Sequence, residues 1–395
     1  MELIPKERLF RSENIVYDEK KVWTKLGWFN DILEIDRTTG NARVIPLPKE
    51  YDGFIWSHRS LNKKDRTIFV LPFRARELLL FNLDTEEYKN VLLPEGIFAE
   101  GETEGFTQSV ILEDYLIMFG YYPMILFYNI STGVFSTVDG IRELLDDCFR
   151  PAVWFTSWIE HKDTLYAHVP STNAVVILDT NSRRLSVKQF DRFDHLDGVV
   201  GIYNGEPVCV EFKDIEMFLL YRNAKGICKE VTLPYGNECG IRPFSWIAIE
   251  NGRAYLFPGS SLKTIYFDLE SENITEGPGV PAKSCEEMKE MSKEFPLNYF
   301  SYVQMGEKNY GTSDGKLITI HPWTAQLVEI DSGTDTVRLI PVVLNTDSVN
   351  RLYYEELKKR DVDGDYYACR DESDSIGGLD GYISFLINND MSGVD

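Results

Sequence analysis

The side chains best suited to hold a ligand are cationic and aromatic, and they recur at matching places in an otherwise acidic chain. Trp56, His58 and Arg59 stand together, Arg150 precedes Trp154 and Trp158, and Arg242 precedes Trp246. Arg-Pro occurs in two equivalent places, Arg150-Pro151 and Arg242-Pro243, each ahead of a tryptophan-bearing run. Arg74, Arg76, Tyr121, Tyr122, Lys263 and Trp323 fall in turn-like segments between other apolar runs. A guanidinium offers a planar fork of donors that matches a carboxylate or phosphate, and an indole face stacks on sugars and rings. Brought together, these groups would bind a protein, a peptide or a small anion. They also have a structural use: tryptophan on a buried strand packs between layers, and a neighbouring arginine pairs with a carboxylate.

Catalytic and metal patterns are thin. The sequence has no GxSxG nucleophile elbow, no phosphate-binding P-loop and no GxGxxG fingerprint. Glu160-His161 and Asp194-His195 are acid–histidine neighbours, but adjacent residues of a strand point to opposite faces. A second reading, a lyase or hydrolase acting on a sugar or modified peptide, would use a histidine such as His58 as its acid–base group. The run Asp361-Val-Asp363-Gly-Asp365 with Glu372 imitates a calcium loop, yet Tyr366 stands where the sharp-turn glycine belongs. The histidines (His58, His161, His168, His195, His321) lie too far apart for a zinc set. No metal and no cofactor is expected.

What must position the arginines and tryptophans is a repeated phrase: a β-rich run, often a proline, a short turn, then an apolar strand closing on Asp or Asn. Thr67–Pro72 leads to Glu77–Asn82, Leu165–Pro170 to Ala174–Asp179, and Ala254–Pro258 to Lys263–Asp268. The closing residues are Asp36, Asn82, Asn129, Asp179, Asn223, Asp268 and Asp331, spaced 44 to 50 residues apart until a final gap of 63. That is the period of a propeller blade. Turn-formers follow each marker, as in Arg37-Thr-Thr-Gly40 and Ser131-Thr-Gly133, and a further strand follows the turn.

The expected fold is therefore all-β: a seven-bladed β-propeller of four-stranded antiparallel blades in one domain. The blades run approximately 10–48, 54–94, 106–138, 153–190, 197–234, 244–277 and 299–344, with an extension over 345–395. Short helical insertions are expected at 139–148 and 283–295. A C-terminal helix (Asn350–Arg360) and strand (Gly381–Asn388) follow. Either Gly381–Asn388 or Leu3–Leu9 would supply the strand that closes the ring. In a propeller the blade-to-blade connections and the loops between second and third strands open on one face, which gathers the arginines and tryptophans there.

The strand phrase resembles the divergent kelch-like and WD40-like propellers of bacterial proteins, over about residues 10 to 344. The paired glycines of kelch repeats and the Trp-Asp dipeptide of WD40 repeats are absent, so the resemblance is one of architecture. It implies binding of a protein or ligand, and no site residue carries over from it.

The formal net charge of −22 argues against nucleic acid and against anionic membrane surfaces, both of which draw on clustered Lys and Arg. Met1–Phe10 has no apolar core of a secretory signal, and no apolar run reaches the ~18 residues of a membrane span. The six cysteines are scattered without pattern. The expectation is a cytoplasmic, reduced protein of undetermined oligomeric state. The leading functional expectation is a non-catalytic binding propeller with Trp56, His58, Arg59, Arg74, Arg76, Arg150, Trp154, Trp158, Arg242, Trp246 and Trp323 at its ligand face. A purely structural assembly scaffold is the third reading.

Overall fold

The computed structural model of the protein describes residues 12–26, 29–51, 57–97, 105–120, 124–138, 157–169, 172–190, 196–213, 216–233, 244–258, 264–277, 316–321 and 325–362. Its strands form a seven-bladed propeller. Blade 1 holds β1 (Ser12–Tyr17), β2 (Lys21–Leu26), β3 (Ile32–Asp36) and β4 (Asn41–Ile45). Blade 2 holds β5 (His58–Lys64), β6 (Thr67–Pro72), β7 (Glu77–Asn82) and β8 (Tyr88–Leu92). Blade 3 holds β9 (Phe106–Leu112), β10 (Tyr115–Gly120), β11 (Ile125–Asn129) and β12 (Phe135–Thr137). Blade 4 holds β13 (Ser157–His161), β14 (Thr164–His168), β15 (Ala174–Asp179) and β16 (Arg184–Gln189). Blade 5 holds β17 (Gly198–Tyr203), β18 (Glu206–Lys213), β19 (Glu216–Arg222) and β20 (Cys228–Leu233). Blade 6 holds β21 (Phe244–Glu250), β22 (Arg253–Pro258), β23 (Ile265–Asp268) and β24 (Ile274–Glu276). The described strands of blade 7 are β25 (Lys316–His321), β26 (Gln326–Asp331) and β27 (Thr336–Pro341).

The recurring Asp or Asn has one local job. In every blade its side-chain oxygen accepts N–H bonds from the turn that joins the third strand to the fourth. Asp36 takes Thr38 and Thr39, Asn129 takes Thr132, Asp179 takes Ser182, and Asp331 takes Gly333 and Thr334. Asn82, Asn223 and Asp268 do the same. The short oxygen-bearing side chain replaces a missing backbone partner, which is why only Asp and Asn fill these positions.

Packing explains the unbroken apolar runs. Successive residues of a middle strand serve opposite neighbours. In β6, Ile68 and Val70 pack with Trp23 and Ile32 of blade 1, whereas Phe69 and Leu71 pack with Leu116 and Met118 of blade 3. A strand buried on both faces reads as continuous rather than alternating hydrophobicity. The buried side chains divide into clusters at blade junctions, so stability is a sum of nearest-neighbour interfaces.

Blade 7 meets blade 1. Ile318, Ile320, Leu327 and Ile340 pack with Ile15, Val22, Leu33 and Ile35. Arg37 donates from Nε to Glu329 Oε1 at 2.7 Å, and both side chains are under a tenth exposed. Gly40 is needed at this seam: its φ is +76°, and a Cβ there would stand 1.9 Å from the Pro341 carbonyl oxygen. Beyond Pro341 the chain leaves blade 7, so that blade ends short of residue 344. Val343–Leu344 (β28) pairs in parallel with Asn41 and Ala42 of β4, making a fifth strand on blade 1. The helix α1 (Thr346–Val362) follows, capped by Asn345 Oδ1, which accepts the Ser348 N–H at 2.9 Å. It is longer than the expected 350–360. Leu352 is buried in the seam cluster, and Arg351 forks onto Asp31 with two 2.9 Å bonds. The insertions at 139–148 and 283–295, the terminal segments Leu3–Leu9 and Gly381–Asn388, and residues 363–372 of the calcium-like run lie outside the described residues.

Candidate functional site

Among the described candidate residues, His58, Arg59, Arg74 and Arg76 form one group at the lip of blade 2, beside blade 1. Ser57 is its hub. Its carbonyl oxygen accepts the successive N–H groups of Phe73, Arg74 and Ala75 at 2.9, 3.0 and 3.0 Å, which fixes the loop between β6 and β7. That loop carries Arg74 and Arg76, both exposed. Arg59, on β5, lies with its guanidinium carbon 5.4 Å from the centre of the Phe73 ring, and Arg74 lies 5.9 Å from the same ring. Phe73 thus holds two cationic side chains at one lip.

Beneath the lip is a buried polar chain. Asn30 donates to Ser57 Oγ, Ser57 Oγ meets His58 Nδ1 at 2.9 Å, and His58 Nε2 meets the Glu77 carbonyl at 2.9 Å. A carbonyl only accepts, so Nε2 carries the proton and Nδ1 accepts the serine hydroxyl. Tyr51 closes the group: its ring sits edge-on to His58 at 4.8 Å, and its hydroxyl donates to Glu77 Oε2 at 2.8 Å. His58 is 0% exposed, and burial first, then the nearby Lys25 ammonium, push its pKa down to about 3 against the opposing Glu77 carbonyl. His58 therefore braces the lip as a neutral imidazole from below, out of reach of a ligand on the surface. Its placement withdraws the accessible acid–base role given to it above. Lys25, 1% exposed, donates its ammonium to the Phe29 carbonyl at 2.9 Å and helps shape the loop after β2.

Trp158 also turns inward. It is 4% exposed and stacks on Phe119 of the neighbouring blade, ring centres 3.7 Å apart. The same indole borders a cavity in the central channel, with about 450 Å³ of space between the innermost strands of blades 1 to 4, part of it open to solvent. Some of that wall is braced across blades: Asn14 accepts the Leu61 N–H at 2.8 Å and donates back to the Leu61 carbonyl, and Asn62 donates to Ser109. Trp56, Arg150, Trp154, Arg242 and Trp323 lie outside the described residues, as do Tyr121, Tyr122 and Lys263. Trp246 lies in β21, opposite Phe257 of β22.

Sequence reasoning missed Ser57, Asn30, Tyr51 and Glu77, because single polar residues beside strand ends carry no pattern. The channel residues left a fainter trace. Ser60 and Asn62 stand two apart on an inner strand, the spacing that points both to one face.

No family model matches the chain, and no curated protein matches it in sequence. Comparison with solved structures finds proteins of similar fold. The structure of YCF48 bound to D1 peptide aligns with a TM-score of 0.51 at 9% identity, covering 68% of this chain and 82% of that one. Virginiamycin B lyase from Staphylococcus aureus aligns at 0.49 with 14% identity, over 68% and 84%. A chain of the mitotic checkpoint complex aligns at 0.48 with 10% identity, over 87% and 89%. At such identities the likeness is one of fold: the protein is a seven-bladed β-propeller, WD40-like in architecture. Among the described residues no helix is long and apolar enough to cross a membrane.

Proposed function

We propose that this propeller is a non-catalytic binding module that captures a protein, peptide or small anionic ligand on the face bearing Arg59, Arg74 and Arg76. One observation carries the reading: a chain of net charge −22 presents three arginines at one lip, where Arg59 and Arg74 share one phenylalanine and Arg74 and Arg76 stand on a loop fixed by three hydrogen bonds to one carbonyl. Pre-ordering a guanidinium lowers the entropy lost on binding, which is the usual reason to build such a support under a mobile side chain. The blade repeat is the ground for adding Trp56, Arg150, Trp154, Arg242, Trp246 and Trp323 to this proposed face, which they would extend around the axis. The solved propeller YCF48 bound to D1 peptide is a precedent for peptide capture on this fold, offered as analogy. The acidity elsewhere disfavours nucleic acid and membrane surfaces as partners, and the scattered cysteines suit a cytoplasmic setting.

The test is selection of binders from a displayed peptide library, with acetate, phosphate and citrate screened alongside by calorimetry. The double variant Arg74→Ala/Arg76→Ala and the double variant Arg150→Ala/Arg242→Ala should each weaken the selected ligand at least about tenfold, since a hydrogen bond to a charged group is worth roughly 1.5–3 kcal/mol. Melting temperatures should barely move. Unchanged affinity in both variants refutes the assignment of this face.

A further inference from the structure

The helix α1 touches the ring at a point that leads to the arginine lip. Arg351 forks onto both carboxylate oxygens of Asp31 at 2.9 Å, and Asp31 is 2% exposed. Asn30, its neighbour in the chain, donates to Ser57 Oγ and, at 3.2 Å, to the Tyr51 carbonyl. Ser57 in turn holds the N–H groups of Phe73, Arg74 and Ala75. A continuous series of contacts thus runs from the C-terminal helix to the loop carrying Arg74 and Arg76, and its first step spans 320 residues of sequence.

The short segment in the middle is tied on both sides. Leu26 donates its N–H to the Asp31 carbonyl at 3.1 Å, and the Lys25 ammonium donates to the Phe29 carbonyl at 2.9 Å. Asn30 lies between those two tied residues, so a shift of Asp31 carries Asn30 with it. The fork keeps Asp31 inside: a buried carboxylate is costly without a paired cation, and losing the pair turns it toward water. The helix is itself seated on the closing seam. Ser348 Oγ accepts the Val44 N–H at 2.8 Å, and Leu352 is buried with residues of blades 7 and 1.

Resting on the reading of the lip as the binding face, we propose that Arg351 is a positioning residue for it, and that the seating of α1 sets the affinity of the loop bearing Arg74 and Arg76 for its partner. Unseating the helix releases Asp31, loosens the hold of Asn30 on Ser57, and returns to the loop a freedom that binding must then remove. The coupling is reciprocal, so a ligand on the lip also tightens α1.

Hydrogen exchange on the full chain, resolved to single amides, tests the coupling without any ligand. Arg351→Ala should speed exchange at Phe73, Arg74 and Ala75 at least about fivefold, while the amides of β18 and β19 in blade 5 keep their rates. Arg351→Lys, which keeps the charge but not the fork, should recover part of the protection. Arg253→Ala removes another arginine–aspartate pair, onto Asp335 between blades 6 and 7, and should leave the loop unaltered. In an Asn30→Ala background Arg351→Ala should add little at the loop, because the link is already cut. Should Arg351→Ala fail to fold, Asp31→Asn, close in shape and with no charge to bury, should act in the same direction. Uniform acceleration across all blades, or none at residues 73–75, would overturn the proposal. A peptide selected on the lip reads the consequence: Arg351→Ala should weaken it about five- to tenfold, and bound peptide should slow exchange in α1. Unchanged affinity, with Arg74→Ala/Arg76→Ala still weakened, would overturn the proposal as well. If that double variant binds as tightly as the unaltered protein, the reading of the lip has failed instead, and the exchange rates alone decide whether α1 positions the loop.

Discussion

His58 offers a way to weigh the buried brace beneath the lip. In the unfolded chain its imidazole titrates near the ordinary value of about 6.5. In the native protein it stays neutral down to about 3, because burial and the Lys25 ammonium disfavour a second proton. Below pH 6.5 the unfolded chain therefore binds a proton that the native protein refuses, and stability falls as pH falls. Between pH 7.5 and pH 5 the linkage amounts to about 2 kcal/mol for a shift of this size. An unfolding entropy of ~2.1 cal/mol/K per residue puts a chain of this length near 0.8 kcal/mol/K, so 2 kcal/mol lowers the melting temperature by about 2–3 °C. His58→Phe removes the titration. It also strips Ser57 and the Glu77 carbonyl of their partner and should cost about 2–4 kcal/mol at pH 7.5. The decisive quantity is the gap between the two proteins. Measured by thermal unfolding at both pH values, it should narrow by about 2 kcal/mol on going to pH 5. A constant or widening gap would refute a neutral, buried His58 and with it the account of how the lip is held.

Ring closure is tested by Arg37→Ala, which among the described residues leaves Glu329 buried beside only the more exposed Arg338 at 3.7 Å. A loss of about 3 kcal/mol, some 4 °C in melting temperature, is expected, and adding Glu329→Gln should restore part of it; no loss would mean that the seam between blades 7 and 1 does not hold the ring. Gly40→Ala should cost more, because the φ is left-handed and the Pro341 carbonyl occupies the Cβ position. The turn-capping carboxylates set an acid limit. Asp36, Asp179, Asp268 and Asp331 are each held below the ordinary aspartate value, foremost by the backbone N–H three residues on. Their contribution is present above the unfolded value of about 3.9 and is lost as pH falls through the native ones. Replacing all four by Asn, the residue already used at Asn82, Asn129 and Asn223, should keep the caps and make the acid limb shallower. An unchanged midpoint of acid unfolding followed by near-UV circular dichroism would refute that.

The blade repeat was legible in the sequence because its cause is local. A third strand that ends in a tight turn needs an oxygen one residue before it, so Asp36, Asn82 and their counterparts recur wherever that turn does. The apolar runs were legible for a related reason: residues such as Ile68 and Phe69 are buried on opposite faces of one strand, which leaves no polar gap to break the signal. Which residues face a ligand was not legible in the same way. His58 and Arg59 are neighbours in sequence, yet one is sealed beneath the lip and the other rises to Phe73. That difference arises because Tyr51, Ser57 and Glu77, from three separate segments, close over the imidazole. Arg37 and Glu329, 292 residues apart, meet only because the wheel closes. Local backbone geometry, written in turn residues and strand runs, determined the blades. Which side chain lies at the axis, the rim or the seam was decided by the tertiary structure, because each depends on partners from distant blades.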